Sequence, residues 1–377
     1  AIADGRRHDE AALDRVCGAV LDAAEAAGAD ALMAEQAQAF GAFWAASDVE
    51  IDGDPALQQG LRFNLFHILQ STGRDALFPI AAKGLSSDGY DGHVFWDGEI
   101  YVLPVLAHSM PHLARNLLAF RCATLARSRA RARQLAHDQG ALYAWRTIDG
   151  RECSAYFPAG TAQYHINADI AYAVRSYWRI TGDDAFLRDY GVEIVIETAR
   201  IWLSTGHFNR RRGGVFCIDE VTGPDEYSAL VNNNFYTNAM ARQNLLFAAD
   251  VSDWLQANHP DAAARLFDRL GLTAGEVDQF RAAAQAMCIP YDPETRIHLQ
   301  DDGFLDKKPW DLANTPAGHF PLLLNYHPLV IYRHQVCKQP DVLLASYLLH
   351  DHFDAAQKRR DFDAYEPELK KELVDFL

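Results

Sequence analysis

Apolar residues recur at a spacing near 3.6 through most of the chain, and alternation at a spacing of two is scarce. Residues 11–28 are alanine-rich with helical spacing and stop at a glycine, and residues 30–46 place Leu32, Met33, Phe40 and Phe43 on one stripe. Residues 55–71 open with proline at a first helical position and set Leu61, Leu65 and Ile68 on one side. The same spacing predicts helices over 100–110, 111–137, 164–181, 184–204, 235–258, 274–287 and 341–350. About ten helices with no strands between them make an all-α fold.

The segments between the helices are long. Residues 84–99, 143–163, 209–234 and 301–339 are rich in Gly, Pro, aromatic and charged side chains. Loops of this length and aromatic content in a compact protein carry function. Helices alternating with such loops suggest a closed helical array with its loops gathered at one end.

Composition narrows the partners. The chain has 377 residues, 35 basic against 51 acidic, for a net charge of -16. That balance excludes the basic surface a nucleic-acid binder needs. With 49% hydrophobic residues the chain can bury a sizeable core, and no run of about 18 apolar residues predicts a membrane span. The first ten residues lack the apolar stretch of a signal peptide. Six cysteines stand singly, without the CxxC spacing of zinc or redox motifs, which suits small buried side chains in a reducing cytoplasm. One basic run, residues 121–133, reads as a solvated helix face.

Candidate chemistry centres on carboxylates. Residues 219–234 (DEVTGPDEYSALVNNN) set Asp219, Glu220, Asp225 and Glu226 in one loop that ends in an asparagine cluster. Such a loop can hold one carboxyl as a general acid, or it can be a turn whose asparagines cap the helix at Phe235; both can hold together. In residues 89–101 (GYDGHVFWDGEIY), Trp96 beside Asp97 offers a ring face and a hydroxyl acceptor to a sugar, or else a core tryptophan with a capping aspartate. Lys338 and Gln339, ahead of a proline at a helix mouth, can donate to hydroxyl or phosphate oxygens, or serve as exposed capping residues. GxGxxG, P-loop, HExxH and GxSxG patterns are missing, which leaves carboxylate chemistry.

The strings RFNLFHILQS, AAKGLSSDGYDGHVFWDGEIY, ALYAWRTIDGRECSAYFPAGTAQYHINADIAYA, DEVTGPDEYSALVNNNFYTN and KQPDVLLA occur in order, and over residues 30–367 the chain resembles the catalytic domain of glycoside hydrolase family 65. That resemblance implies an (α/α)6 barrel over 30–367, with 1–29 a helical linker and 368–377 an atypical terminal helix. It implies inverting phosphorolysis of an α-linked glucose disaccharide of the maltose, trehalose, kojibiose or nigerose type. Glu226 would be the general acid, Trp96, Asp97, Lys338 and Gln339 would hold the glucose, and inorganic phosphate would be the co-substrate. No metal or organic cofactor is implied, and a homodimer is the family expectation.

Family members also carry a β-sandwich before the barrel and a small β domain after it. Past the equivalent of Tyr365-Glu366-Pro367 they continue into a His- and Ser-rich phosphate loop, where this chain reads ELKKELVDFL. Gly98 and Ser228 replace the Thr and His frequent in relatives, near the expected leaving-group side. A hydrolase of the same fold, with Glu366 or Glu368 as the base, and a barrel that binds sugar without turnover are the alternatives.

Overall fold

The computed structural model describes residues 9–85, 89–154, 158 and 160–373. Among them fourteen α-helices dominate, and β-structure amounts to three two-stranded ladders of two or three residues per strand and three isolated bridges. The all-α reading of the periodicity is therefore the observed class. Contacts divide the chain into two units, Ala1–His67 with His108–Met110, and Ile68–Ala107 with Pro111–Leu377.

The first unit holds α1 (Glu10–Ala27), α2 (Ala29–Ser47) and most of α3 (Pro55–Ser71). Helix α1 buries none of its side chains, and α2 buries Phe43 and Ser47. Of the predicted stripe, Leu32 and Met33 are exposed, whereas Phe40 stacks on Phe66 at 5.4 Å. Arg62 of α3 forks onto both carboxylate oxygens of Asp48.

In the second unit, α4 (Leu103–Ser109, entering the other unit at its end) and α5 (Pro111–Gln134) precede α6 (His165–Thr181). Then come α7 (Asp184–Phe186) and α8 (Val192–Thr205), joined by a π-helical turn over Leu187–Gly191. The expected single helix over 184–204 is thus continuous but locally widened. The short hairpin β1 (His207–Asn209) and β2 (Val215–Cys217) leads into the loop of residues 218–234.

Helix α9 (Phe235–Asn258) organises this unit. It packs against α6, α8, α10 (Pro260–Leu270), α11 (Ala274–Gln285) and α13 (Asp341–Leu348), and it is buried nearly all round. Burial on every face is what a central helix requires. Its start is set by Asn234, whose side-chain oxygen accepts from Thr237 N at 2.9 Å, as a capping asparagine should. Helix α11 begins with Thr273 accepting from Glu276 N. The ladders β3 (Tyr291–Asp292) with β4 (Ile297–His298), and β5 (Lys308–Pro309) with β6 (His334–Gln335), brace the later loops around α12 (Pro328–Ile331).

Three helices lie outside the predicted set. Helix α10 carries apolar side chains at helical spacing yet is absent from that set, the four-residue α12 lies inside the 301–339 loop, and α14 (Ala355–Leu373) runs through Pro367, so the terminal helix expected from 368 starts earlier. Residues 368–373 are therefore the end of one longer helix, and 374–377 lie outside the described residues. Asp361 of α14 accepts from His298 N and lies 2.8 Å from His298 Nδ1, while Tyr365 donates to His298 O, so this helix is tied to β4.

The basic run on α5 is not a solvated face. Arg121 is fully buried and forks onto Glu99 at 2.6 and 2.8 Å. Arg129 reaches Glu193 and Glu197 of α8, and buried Arg131 donates to Tyr143 O at 2.5 Å. The partners lie far along the chain, which is why local composition pointed outward. All six cysteines are free; Cys217, Cys288 and Cys337 are buried, while Cys153 is exposed.

Removing one member of a buried pair strands the other's charge, which costs about 3–5 kcal/mol. Arg121→Met is expected to destabilise the chain by about that amount in urea unfolding, and the double change Arg121→Met with Glu99→Leu should recover most of it.

Candidate active site

Two of the long loops, residues 209–234 and 301–339, meet at one set of side chains in the second unit. Of the four acidic residues in 219–226, Asp225 and Glu226 enter it. Asp219 instead faces His207 at 3.7 Å, and Glu220 sits at a left-handed turn. The asparagines at the loop's end do structural work: Asn232 and Asn233 accept from Glu220 N and Ile218 N, and Asn234 caps α9. The turn-and-cap reading and the carboxylate reading therefore coexist.

Glu226 is half exposed, and both of its carboxylate oxygens are engaged. Lys338 Nζ donates to Oε2 at 2.8 Å and Gln339 Nε2 to Oε1 at 3.1 Å, while Glu226 N donates to Gln339 Oε1 at 3.2 Å. Lys338 and Gln339 are thus not exposed capping residues; α13 has no side-chain cap.

Beneath them lies a buried carboxyl pair. Asp225, 1% exposed, accepts through Oδ1 from Tyr227 N, Lys338 N and Gln339 N at 3.2, 2.9 and 3.2 Å. Asp341, also 1% exposed, accepts from Asp225 N at 2.9 Å and from Asn234 Nδ2 at 2.6 Å. Burial first, then the negative charge of Asp225, holds the Asp341 carboxyl well above its ordinary value of 3.8; the Asn234 and Asp225 N–H bonds oppose this. Between 3.8 and that raised value the folded chain binds more protons than the unfolded one. The contribution of Asp341 to stability therefore falls as pH rises through this window.

Trp96 and Asp97 belong to a second group of side chains. Trp96 is half-buried, packed at 5.7 Å from Tyr101, 5.0 Å from His165 and 5.9 Å from Tyr236. Beneath it His165 and Asp169, four residues apart on α6, face each other at 2.7 Å, and Tyr236 of α9 donates to Asp169 at 2.8 Å. Asp97 does not cap the following turn. Its carboxyl keeps contact with solvent, yet it is raised above 3.8, first by the low-dielectric walls around it and then by Glu99. The π-helical turn over Gly98–Val102 follows directly, and Glu99 anchors it to Arg121. Such turns reorient side chains beside functional sites.

Neither Trp96 nor Asp97 bonds directly to Glu226, Lys338 or Gln339 among the described residues. Burial first, then the carboxyls of Asp97, Asp169 and Asp341, push Tyr101 up to about 12, while burial followed by Asp169 raises Tyr236 well above its ordinary value. Tyr101 therefore remains a hydroxyl donor at neutral pH. An aromatic face, acceptors, donors and one accessible carboxyl are groups that suit a polyhydroxylated substrate. Among the described residues no group of three or more His, Cys, Asp or Glu is arranged to hold a metal.

Gly98 is buried with room for a Cβ 3.5 Å from Ile80, and Ser228 Oγ lies 3.5 Å from Asp225 O. Glu366 sits half-buried on α14, and the Glu368 side chain is outside the described residues, as are positions 155–157 and 159 of the aromatic loop.

The family model of the glycosyl hydrolase family 65 central catalytic domain matches residues 62–373. The chain belongs to glycosyl hydrolase family 65. An α,α-trehalose phosphorylase of Geobacillus stearothermophilus is 55% identical over 86% of this chain and 42% of its own length. One from Thermoanaerobacter brockii is 48% identical over 92% of this chain and 45% of its own. A solved structure of a human-microbiome protein proposed to be a kojibiose phosphorylase superposes with a TM-score of 0.87 at 31% identity, covering 96% of this chain and 50% of that one. The chain thus spans half or less of the length of these relatives. The family match and this superposition make the fold an all-α barrel catalytic domain.

Sequence reasoning missed Asp341, Tyr101 and the His165–Asp169–Tyr236 group. The spacing of His165 and Asp169 on one helix face was the available signal. Asp341 stood inside the string KQPDVLLA, but nothing local marked its role, because its partners Asp225 and Asn234 lie 116 and 107 residues away.

Gly223 shows how tightly the buried pair is enclosed. A Cβ there would lie 2.3 Å from Asp341 Oδ2 and 2.4 Å from Asn234 Nδ2. Gly223→Ala is expected to cost about 1–3 kcal/mol of unfolding free energy through this overpacking. Gly213→Ala, beside open space at a left-handed turn, is the comparison for backbone strain alone.

Proposed function

We propose that this chain carries the catalytic site of an inverting disaccharide phosphorylase acting on α,α-trehalose. The observation that supports it most is Glu226, an accessible carboxyl whose two oxygens are held by Lys338 and Gln339. Glucose that takes those two side chains as hydroxyl donors releases both Glu226 oxygens, one of them to face the glycosidic oxygen. Trp96 offers its ring to the sugar's C–H face, while Asp97 and Tyr101 supply an acceptor and a donor.

Protonated Glu226 then gives its proton to the glycosidic oxygen as the bond to the anomeric carbon breaks. Phosphate attacks that carbon from the opposite face, giving glucose and β-glucose 1-phosphate. Phosphate is already anionic, so this route needs no second carboxylate as base. Trehalose is preferred to the other disaccharides because the trehalose phosphorylases stand at 55 and 48% identity, against 31% for the kojibiose-related structure.

Loss of a positioned general acid costs about 10²–10⁴-fold. Glu226→Gln, which keeps shape and hydrogen bonding, is expected to lower kcat for trehalose by at least that factor. Glucose affinity by calorimetry should stay within a few-fold. Near-wild-type turnover in this variant would remove the acid assignment.

Asp97 adds a pH test. Its carboxyl is raised above 3.8, so it becomes a full acceptor only as pH passes that raised value. Glucose affinity is expected to strengthen with pH across this range, and Asp97→Asn should flatten that dependence.

A further inference from the structure

The Glu226 segment and the Lys338–Gln339 segment lie more than a hundred residues apart, yet they cross at a single oxygen. Asp225 Oδ1 collects the backbone N–H groups of Tyr227, Lys338 and Gln339. Three backbone donors thus share one oxygen of a residue that is 1% exposed, so the crossing is held inside the protein. The other end of the crossing is anchored as well. Asp225 N donates to Asp341, and Asp341 accepts from Asn234, the residue that starts α9. Both residues that grip Glu226 therefore take their backbone position from the side chain of Glu226's own neighbour.

We propose that Asp225 is the positioning residue of this site: its buried carboxylate, latched to Asp341, locks the Lys338–Gln339 backbone against the Glu226 backbone and sets the aim of the acid. The inference rests on the reading of Glu226 as the proton donor. Asp225 itself faces no solvent and does not touch substrate; it acts through three backbone N–H groups. A displacement of about 1 Å at a reacting group can cost about 10²-fold in rate. Losing the crossing releases both segments at once.

A staple that merely held the fold would slow every reaction of the site alike, whereas an aiming device matters only when a proton must be delivered. Trehalose needs that proton on its leaving oxygen. α-Glucosyl fluoride does not: its C1–F bond breaks with the electron pair leaving on fluoride while a phosphate oxygen forms the new bond to C1. The experiment compares phosphorolysis of the two compounds by wild type, Asp225→Ala and Asp225→Asn, with thermal unfolding recorded for each.

Asp225→Ala is expected to lose about 100-fold in kcat on trehalose and less than tenfold on the fluoride. Asp225→Asn, which keeps the accepting oxygen, should recover most of the trehalose rate. If Asp225→Ala does not fold, Asp341→Asn serves instead. Its single amide oxygen cannot accept from both Asp225 N and Asn234 Nδ2, so the same selective loss is expected. Equal losses on both compounds would overturn the positioning role while leaving Glu226 as the acid. No turnover of either compound by the wild-type chain would overturn the phosphorylase reading, and this inference with it.

Discussion

The site depends on one buried carboxylate oxygen that joins two distant stretches of chain. Asp225 Oδ1 satisfies three backbone donors that would otherwise be orphaned where two loops meet. Around that point the loop of residues 218–234 is fixed by its asparagines, and the loop of 301–339 is braced by the β5–β6 ladder. A second carboxyl, Asp341, packs against the first and is held toward its neutral form. Two carboxylates in so dry a space cannot both keep their charge. Gly223 is the residue that makes room for this pair.

The same logic of paired charge runs through the scaffold. An acidic chain with 35 basic residues spends several of its arginines internally. Arg121 with Glu99 holds the π-helical turn after Trp96–Asp97, and Arg200 joins Glu197 to Glu276 at the start of α11. These pairs fix where helices meet rather than adding much net stability, since burial of each ion offsets most of the attraction. Trp96 accordingly stands on a base of interlocked groups: His165, Asp169 and Tyr236 below it, and the Glu99–Arg121 pair behind the turn that carries it.

Much of this was legible in the sequence, for identifiable reasons. Helix α9 was readable from Phe235 to Asn258 because its asparagine cap and its periodicity agree. Glu226, Lys338 and Gln339 were legible through the strings GPDEY and KQPD, and the structure places all three in mutual contact. What escaped depends on partners distant in the chain. The basic run on α5 looked like a solvated face because Glu99, Glu193 and Glu197 cannot be seen beside it in sequence. Asp341 drew no reading of its own at the first turn of α13, and the terminal helix was bounded at 368 although α14 runs through Pro367 from Ala355.

The central proposal is that this site cleaves trehalose by inversion with phosphate as the nucleophile. Proton NMR of the first products, recorded with trehalose in the presence and absence of phosphate, tests it most directly. The account predicts β-glucose 1-phosphate, formed only when phosphate is present and before anomeric equilibration of the released glucose. Release of glucose at the same rate without phosphate, or glucose 1-phosphate of the α configuration, would contradict it.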